Sequence, residues 1–356
     1  MTAPAKPGSS GRAGVAGGGG LLRVAIVGAA TLKGKELKEV LEAGSFPAVD
    51  VKLLDDDEAL GQLESVGDEA TFIQSVLPEH LEHVDLAFFA SEPAFTRKHW
   101  NTARKTGAAI VDLSYVLEDE PGVAVRSPWI EQELGDGAPA PEARTVVAAH
   151  PAATVLALLL LRAQKAGRLE RAVATIFEPA SEHGRRGMDE LHQQTVSLLS
   201  FQPLPREIFD AQVAFNLVAR YGEKAAPTLE SAEQRILAHF RRLAGERVPV
   251  PSVVLLQAPI FHGHVFSLYV ETEGKVSWGE LARVLEGEHI RVLRAPEDPP
   301  SNVSAAGQDQ VLLMLRQDLA RQNAFWLWAA ADNLRISALT AVDCAAALAR
   351  SQGKVA

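Results

Sequence analysis

The run LLRVAIV at residues 21–27, continued by GAATLKG at residues 28–34, decides the fold of the N-terminal part of the chain. A short apolar run rich in β-branched residues predicts a strand, and the glycine-bounded segment after it predicts a tight turn. The pattern KGKELKEVLEAG at residues 33–44 then predicts an amphipathic helix. Further apolar runs follow at residues 50–54, 84–90 and 108–113. Strands that alternate with helices predict an α/β fold with a doubly wound parallel sheet.

The middle of the chain has a different pattern, in which helical segments at residues 187–199 and 230–243 precede a series of apolar runs. This pattern predicts an α+β arrangement with a largely antiparallel sheet, which can present one face to a partner subunit. An Ala/Leu-rich helix is predicted at the end and returns to pack on the first domain. The expected segments are a disordered tail at 1–20, a nucleotide-binding domain at 21–150, an α+β domain at 151–330 and the C-terminal helix at 331–356.

The composition excludes several classes of protein. The chain has 356 residues, a formal net charge of −10 and 47% hydrophobic residues, which is typical of a globular chain of about two domains. An acidic surface argues against a nucleic-acid partner, because binding to phosphates needs cations. Residues 1–20 lack the apolar core of an export signal, and no apolar run reaches membrane-spanning length. With Cys344 as the single cysteine, we expect a cytoplasmic protein with no membrane partner.

The turn at residues 28–34 lies where a dinucleotide pyrophosphate meets a helix N-terminus. Gly28 suits the tight turn, Ala29 follows it, and Gly34 suits the close contact between helix and strand. Thr31 stands in the middle of the loop, where a glycine usually lets the backbone approach the phosphates. The turn therefore either binds a cofactor or is a retained turn that no longer binds one.

The end of the second predicted strand is acidic. An acid at this point hydrogen-bonds the ribose of NAD, whereas a basic residue accepts the 2′-phosphate of NADP. The acids disfavour NADP, so we expect either no cofactor or NAD; a solvated acidic loop is the alternative. These acids are Asp55, Asp56, Asp57 and Glu58.

Three further features carry open alternatives. His262 and His264 have a spacing that would place both rings on one side of a strand, as a general base or a metal pair. No third ligand is apparent, so we expect no metal site. The polar loop EHGRR at residues 182–186 is either an anion site or a solvated loop. Thr154 is a candidate N-cap for the apolar helix at residues 155–161.

Four segments resemble one known family. They are LWAAADNLR at 327–335, QVAFN at 212–216, GMDEL at 187–191 and PIFHGH at 259–264. From residue 22 to about residue 349, the chain resembles aspartate-semialdehyde dehydrogenases. The resemblance implies a Rossmann-type domain plus an α+β catalytic and dimerisation domain, and a homodimer. It also implies a role in amino-acid biosynthesis: phosphate- and NADP-dependent interconversion of aspartate semialdehyde and aspartyl phosphate through a cysteine thioester.

The positions that carry this chemistry in the family are mostly altered here. Two match: Glu190 stands at the position of the glutamate that binds the substrate amine, and His264 at that of the general base. The altered positions are Ala153 for the nucleophilic cysteine, Gln257 for the substrate-binding arginine, Glu118 near the phosphate-binding arginine and Glu58 near the NADP-binding arginine.

Without a thiolate, neither the thiohemiacetal nor the thioester can form. The resemblance is therefore closest to the cysteine-lacking Usg-type paralogues, and it predicts a non-catalytic homodimer that acts as a binding or scaffold protein. Two alternatives stay open. One is a phosphate- and NAD(P)-dependent oxidoreductase of the family, and the other is an enzyme of altered acid–base chemistry that uses His264 and Glu190.

Overall fold

The structure of the chain is a computed structural model that describes residues 22–44, 46–56, 58–67, 69–135 and 143–354. The tail predicted at residues 1–20 and the acid Asp57 lie outside the described residues.

The N-terminal part is built on a parallel sheet. Its elements are β1 (Leu22–Val27), α1 (Leu32–Ala43), β2 (Ala48–Asp55), β3 (Leu63–Val66), β4 (Glu69–Phe72), β5 (Gln74–Ser75), α2 (Pro78–Leu81), β6 (Leu86–Phe89), α3 (Pro93–Lys105), β7 (Ala109–Asp112), β8 (Ala124–Arg126), α4 (Pro128–Leu134) and β9 (Thr145–Ala148). Over the described ranges, seven strands pair in the order β5-β2-β1-β6-β7-β9-β8, and β3 and β4 form a separate hairpin. In this order β2 lies on one side of β1, and β6 lies on the other side. The direction of strand order therefore reverses between β1 and β6, which is the topological switch point of the sheet.

The turn after β1 is as tight as its glycines require. Gly28 has φ +89°, and a Cβ atom there would lie 2.4 Å from the backbone nitrogen of Ser91. A Cβ atom on Gly34 would lie 2.0 Å from the carbonyl oxygen of Gly28. Neither position can hold a side chain without moving the backbone, so the sequence fixes how closely α1 approaches the sheet.

The second part is built on a mixed sheet. Its elements are α5 (Pro151–Gln164), β10 (Leu169–Glu178), α6 (Gly184–Leu199), α7 (Leu229–Ala244), β11 (Ser252–Gln257), β12 (His264–Thr272), α8 (Trp278–Leu285), β13 (Ile290–Val292), α9 (Asn302–Ala305), β14 (Val311–Gln317), β15 (Ala324–Ala331) and α10 (Asn333–Ser351). The strand order is β11-β10-β12-β15-β14-β13. The pairs β10–β11 and β13–β14 are parallel and the other pairs are antiparallel. One face of this sheet packs on helices, among them α5, which is buried from Pro151 to Ala163.

The other face of the mixed sheet is open in the single chain. Along β10 the residues alternate between buried and partly exposed, as expected for a strand with one covered side. Val173 pairs with Tyr269, which pairs with Trp326. Val173 and Val254 are 40% and 51% exposed. The open face consists of Val173, Thr175, Val254, Leu256, Ser267, Tyr269, Met314 and Trp326. At its margin Phe177 and Trp328 pack against a small buried cluster that includes Ala305 of α9.

Helix α10 crosses back to the first sheet. Ala338, Ala341 and Ala345 belong to the same buried cluster as Val24 and Ile26 of β1. Small side chains allow the close packing of α10 against α1. Among the described residues, every helix is too short or too polar to span a bilayer.

Candidate functional site

Helix α5 begins directly after β9, the last strand of the parallel sheet, and its N-terminus is capped by a histidine. The Nδ1 atom of His150 accepts a hydrogen bond of 3.2 Å from the backbone of Ala152. Helix α5 begins at Pro151, whose fixed φ and missing N–H suit the first helical position. The predicted N-cap at Thr154 is therefore wrong, because the helix starts one turn earlier. In the described chain the Thr154 hydroxyl is buried without a hydrogen-bond partner.

Ala153 lies in the first turn of α5 and is fully buried. A helix N-terminus stabilises an anion, but a methyl group offers no reacting atom. The single cysteine of the sequence, Cys344, lies in α10, and its thiol is 3.8 Å from the carbonyl oxygen of Arg126. Burial raises the pKa of Cys344, so this thiol is held protonated. Helix α5 therefore contains no thiol that could form a covalent intermediate with a substrate.

A buried polar cluster, here called the Glu182 cluster, joins the 3-10 turn Ala180–His183 to α5 and β12. The Glu182 carboxylate lies 3.7 Å from Nε2 of His150 and 3.9 Å from Nε2 of His264. It accepts a hydrogen bond of 2.8 Å from Asn333. In the described part of the chain, Nε2 of His264 has no hydrogen-bond partner. The loop predicted at residues 182–186 is wrong, because these residues end the 3-10 turn and begin α6, and the Glu182 side chain is buried.

The charges of this cluster are unevenly distributed. Burial alone would raise the pKa of Glu182. The opposing effects are larger and lower this pKa to about 2; they come from His150, His264, Lys33 and the hydrogen bond from Asn333. Burial lowers the pKa of His150 well below its usual range, so that imidazole is neutral at neutral pH. Lys33, whose pKa is raised, adds a positive charge in the neighbourhood of Glu182.

A second buried network surrounds Gln257. Its amide oxygen accepts a hydrogen bond of 2.7 Å from the Tyr221 hydroxyl. Its amide nitrogen donates to the carbonyl oxygens of Glu178 and Ala258, at 3.0 and 2.7 Å. The protein itself therefore uses the polar atoms of this side chain, and none is directed at a ligand.

Glu190 holds a loop. Its carboxylate accepts hydrogen bonds from the backbone nitrogens of Glu207, Ile208 and Phe209, at 2.7, 2.6 and 3.2 Å. Over the described residues, no hydrogen bond or ion pair joins it to His264. The two residues that match the family's polar positions therefore belong to separate networks.

The turn at residues 28–34 is closed by internal hydrogen bonds. The Thr31 hydroxyl oxygen accepts from the backbone of Gly34 at 3.0 Å and caps α1. The Asp55 carboxylate accepts from the backbone of Ala30 at 2.7 Å, and burial raises the pKa of Asp55. The backbone of Ala29 donates to Leu54 at 3.2 Å. Several donors that could meet a pyrophosphate already have partners.

The outer acids differ in setting. Asp56 and Glu58 are exposed, and the backbone of Glu58 donates to the Asp56 carboxylate at 3.1 Å. Glu118 instead accepts hydrogen bonds from Arg235 at 3.1 Å and from His239 at 2.7 Å. Burial raises the pKa of Glu118, but these two partners bring it below its usual value. The charge of Glu118 is therefore balanced by α7.

His262 and His264 do not lie on one face of a strand. His262 lies in the turn, His264 begins β12, and Gly263 between them has φ +84°. The argument from alternation along a strand is wrong here, because that backbone is not extended. Across the described residues, no group of three or more His, Cys, Asp or Glu side chains is arranged to hold a metal ion.

Sequence reasoning missed Lys33, Tyr115, Glu178, Tyr221 and His239. The Tyr115 hydroxyl accepts a hydrogen bond from Lys33 at 3.3 Å, and the other four belong to the networks described above. None of the five stands in a motif of its own. The signal in the sequence is weak: Lys33 is a cation in the cofactor turn, and Tyr115 closely follows β7.

Comparisons with known proteins agree with this architecture. Residues 23–138 match the semialdehyde dehydrogenase NAD binding domain, and residues 159–336 match the semialdehyde dehydrogenase dimerisation domain. A USG-1 protein homolog of Pseudomonas aeruginosa is 32% identical over 88% of this chain and 93% of that protein. The aspartate-semialdehyde dehydrogenase of Rickettsia bellii is 27% identical over 92% of this chain and 98% of that protein.

A solved structure has the same fold over nearly the whole chain. It is that of a probable aspartate-semialdehyde dehydrogenase from Pseudomonas aeruginosa. Its TM-score is 0.83 at 30% identity, covering 93% of this chain and 99% of that one. Both domain matches and the full-length relatives lead to one conclusion: this chain belongs to the semialdehyde dehydrogenase family.

Proposed function

We propose that the chain is a non-catalytic homodimer of this family that acts by binding. One observation carries the proposal: the sequence has a single thiol, and it is buried in α10 and not in α5. The resemblance aligns Ala153 of α5 with the family's nucleophile, which supports the same proposal. Removal of a covalent nucleophile costs on the order of 10⁶-fold in rate. Homodimerisation rests on the match to the dimerisation domain and on the apolar open face.

The neighbouring side chains support the same proposal. The polar atoms of Gln257 are bound within the protein, and the Glu190 carboxylate holds the loop at residues 207–209. A substrate carboxylate or amine would have to displace these contacts. The acids Asp56 and Glu58 disfavour NADP, so the cofactor is absent or is NAD.

The test is an assay of the full chain with aspartate semialdehyde, inorganic phosphate and NAD or NADP. We expect no phosphate-dependent formation of reduced cofactor, measured beside a catalytic family member. Ala153→Cys alone should leave turnover far below that of the catalytic enzyme, because Gln257 and Glu190 keep their internal partners.

Cys344→Ala is the matched control. Phosphate-dependent turnover by the natural chain that disappears in Cys344→Ala would overturn the proposal and assign the chemistry to that thiol. Turnover that survives in Cys344→Ala would also overturn it, in favour of chemistry without a thiol.

Altered acid–base chemistry remains the second candidate, favoured by one observation. The buried Nε2 atom of His264 has no partner among the described residues and lies 3.9 Å from the Glu182 carboxylate. This arrangement supports Glu182, and not Glu190, as the partner of His264. Turnover of the semialdehyde without phosphate that is lost in His264→Gln would favour this candidate.

A further inference from the structure

The carboxyl ends of β1, β6 and β7 form the crevice in which a doubly wound sheet binds its ligand. Strand β6 lies between the other two. Lys33, in the first turn of α1, reaches across this edge. Its ammonium donates hydrogen bonds to the carbonyl oxygen of Leu113, just after β7, at 3.0 Å and to the Tyr115 hydroxyl at 3.3 Å. The side chain therefore crosses the crevice from one wall to the other.

Tyr115 fills the crevice beside Lys33. Its ring is buried, and its centroid lies 4.4 Å from the Lys33 ammonium. The same ring contacts the rings of His150 and His239, with centroids 5.3 and 5.6 Å away. Tyr115 has φ +65°, which is uncommon outside glycine.

The charges hold the ammonium in this position. Burial lowers the pKa of Lys33, but Tyr115, Glu182 and Asp112 more than compensate, so the pKa is raised. The amine is therefore charged at neutral pH. A side chain held by two hydrogen bonds and an aromatic face is not readily displaced by a ligand.

The position of Lys33 and Tyr115 in the crevice indicates which half of a dinucleotide they would exclude. The turn after β1 meets the pyrophosphate, and the acid after β2 meets the adenosine ribose, so the nicotinamide half extends towards β6 and β7. We infer that Lys33 and Tyr115 occupy the part of the crevice that the nicotinamide half of a dinucleotide would need. Lys33 then determines whether the chain can bind a whole dinucleotide. This inference goes beyond the proposed function, because it concerns binding and holds whether or not the chain turns over a substrate.

The test is calorimetric titration of the full chain with NADH and with ADP, which lacks the nicotinamide ribose. The variants are Lys33→Ala and, as the matched control, Lys35→Ala. Lys35 belongs to the same turn of α1 but pairs with Glu64, 3.6 Å away, at the surface. We expect Lys33→Ala to bind NADH at least about tenfold more tightly than the natural chain, with no change for ADP. Lys35→Ala should resemble the natural chain.

A second variant guards against loss of folding. Tyr115→Gly removes the ring and places glycine at a positive φ, which glycine adopts readily. It has the same expected result. The inference is overturned if the natural chain binds NADH at micromolar affinity. It is also overturned if the folded variants gain nothing over Lys35→Ala, or if ADP gains as much as NADH.

Discussion

Glu190 and Glu182 are two buried carboxylates that the protein stabilises in different ways. Glu190 is surrounded by backbone N–H groups and the amide of Gln194, so neutral donors satisfy it. Glu182 faces two imidazoles, the amide of Asn333 and the ammonium of Lys33. The first arrangement fixes a loop, and the second brings titratable groups together. Their roles follow from their neighbours rather than from residue type.

At the residue scale, we expect Glu190→Gln to lower the free energy of unfolding by about 1–3 kcal/mol. The neutral amide cannot accept the same set of backbone hydrogen bonds, so some N–H groups lose a partner. Denaturant unfolding measures the change. The control is Asp189→Asn on the exposed side of α6, where the pair with Arg185 contributes little.

The opposite result is also informative. Unchanged unfolding in Glu190→Gln, together with weaker binding of an amino ligand, would assign Glu190 to a ligand and contradict the loop-anchoring role.

At the element scale, the buried N-cap of α5 makes stability depend on pH. Burial holds the pKa of His150 well below its ordinary value of 6.5, at which the unfolded chain titrates. As the pH falls below about 6.5, the unfolded state binds more protons than the folded state, so stability is lost. Glu182, whose pKa is lowered to about 2, adds its own loss only below its ordinary value of 4.5.

We therefore expect His150→Asn to flatten the decline of stability between pH 7 and pH 5, by up to about 2 kcal/mol. Asparagine retains a capping oxygen and does not titrate. Denaturant unfolding at several pH values measures the slope. His192→Asn on the exposed side of α6 is the control, and an equal change in both variants would contradict the assignment to His150.

Periodicity predicted the elements that bury an apolar side. Strand β1 and helix α1 could be predicted because each has one, whereas the hairpin of β3 and β4 could not. Leu63 and Phe72 at its ends are 62% and 59% exposed, so its described side chains form no buried apolar stripe to detect.

The candidate site could be predicted only in part. The resemblance marked Ala153 and His264, but not the contacts of Glu182. Its partners His150 and Asn333 lie far away in the sequence, and only the packing of the two sheets brings them together. Contacts between residues so far apart in the sequence cannot be predicted from any local pattern of residues.

In the whole molecule, the open face of the mixed sheet exposes apolar side chains such as Val173 and Val254. The tryptophans on it and at its margin are already hydrogen-bonded: Trp326 donates to Asp318 at 2.9 Å, and Trp328 to the carbonyl oxygen of Pro300 at 2.8 Å. With their polar atoms satisfied, these rings present mainly apolar area, which favours burial against a partner.

We expect Val173→Glu to weaken the dimer by at least about tenfold in dissociation constant, because a charge would be buried at the interface. Sedimentation equilibrium measures the change. Leu319→Glu is the control, since Leu319 is 94% exposed in the turn between β14 and β15. A dimer unaffected by Val173→Glu would exclude the open face as the interface.

The return of α10 to the first sheet has a consequence for the order in which the chain acquires its structure. The core around β1 needs Ala338, Ala341 and Ala345, which the ribosome adds about 300 residues after Val24. At about 5–20 residues per second, that delay is roughly 15–60 s. During this interval the apolar side of β1 and α1 is without its final cover, and the mixed sheet itself is complete only once β15, directly before α10, has been added. A nascent chain of this design therefore depends on its last helix to complete its first domain.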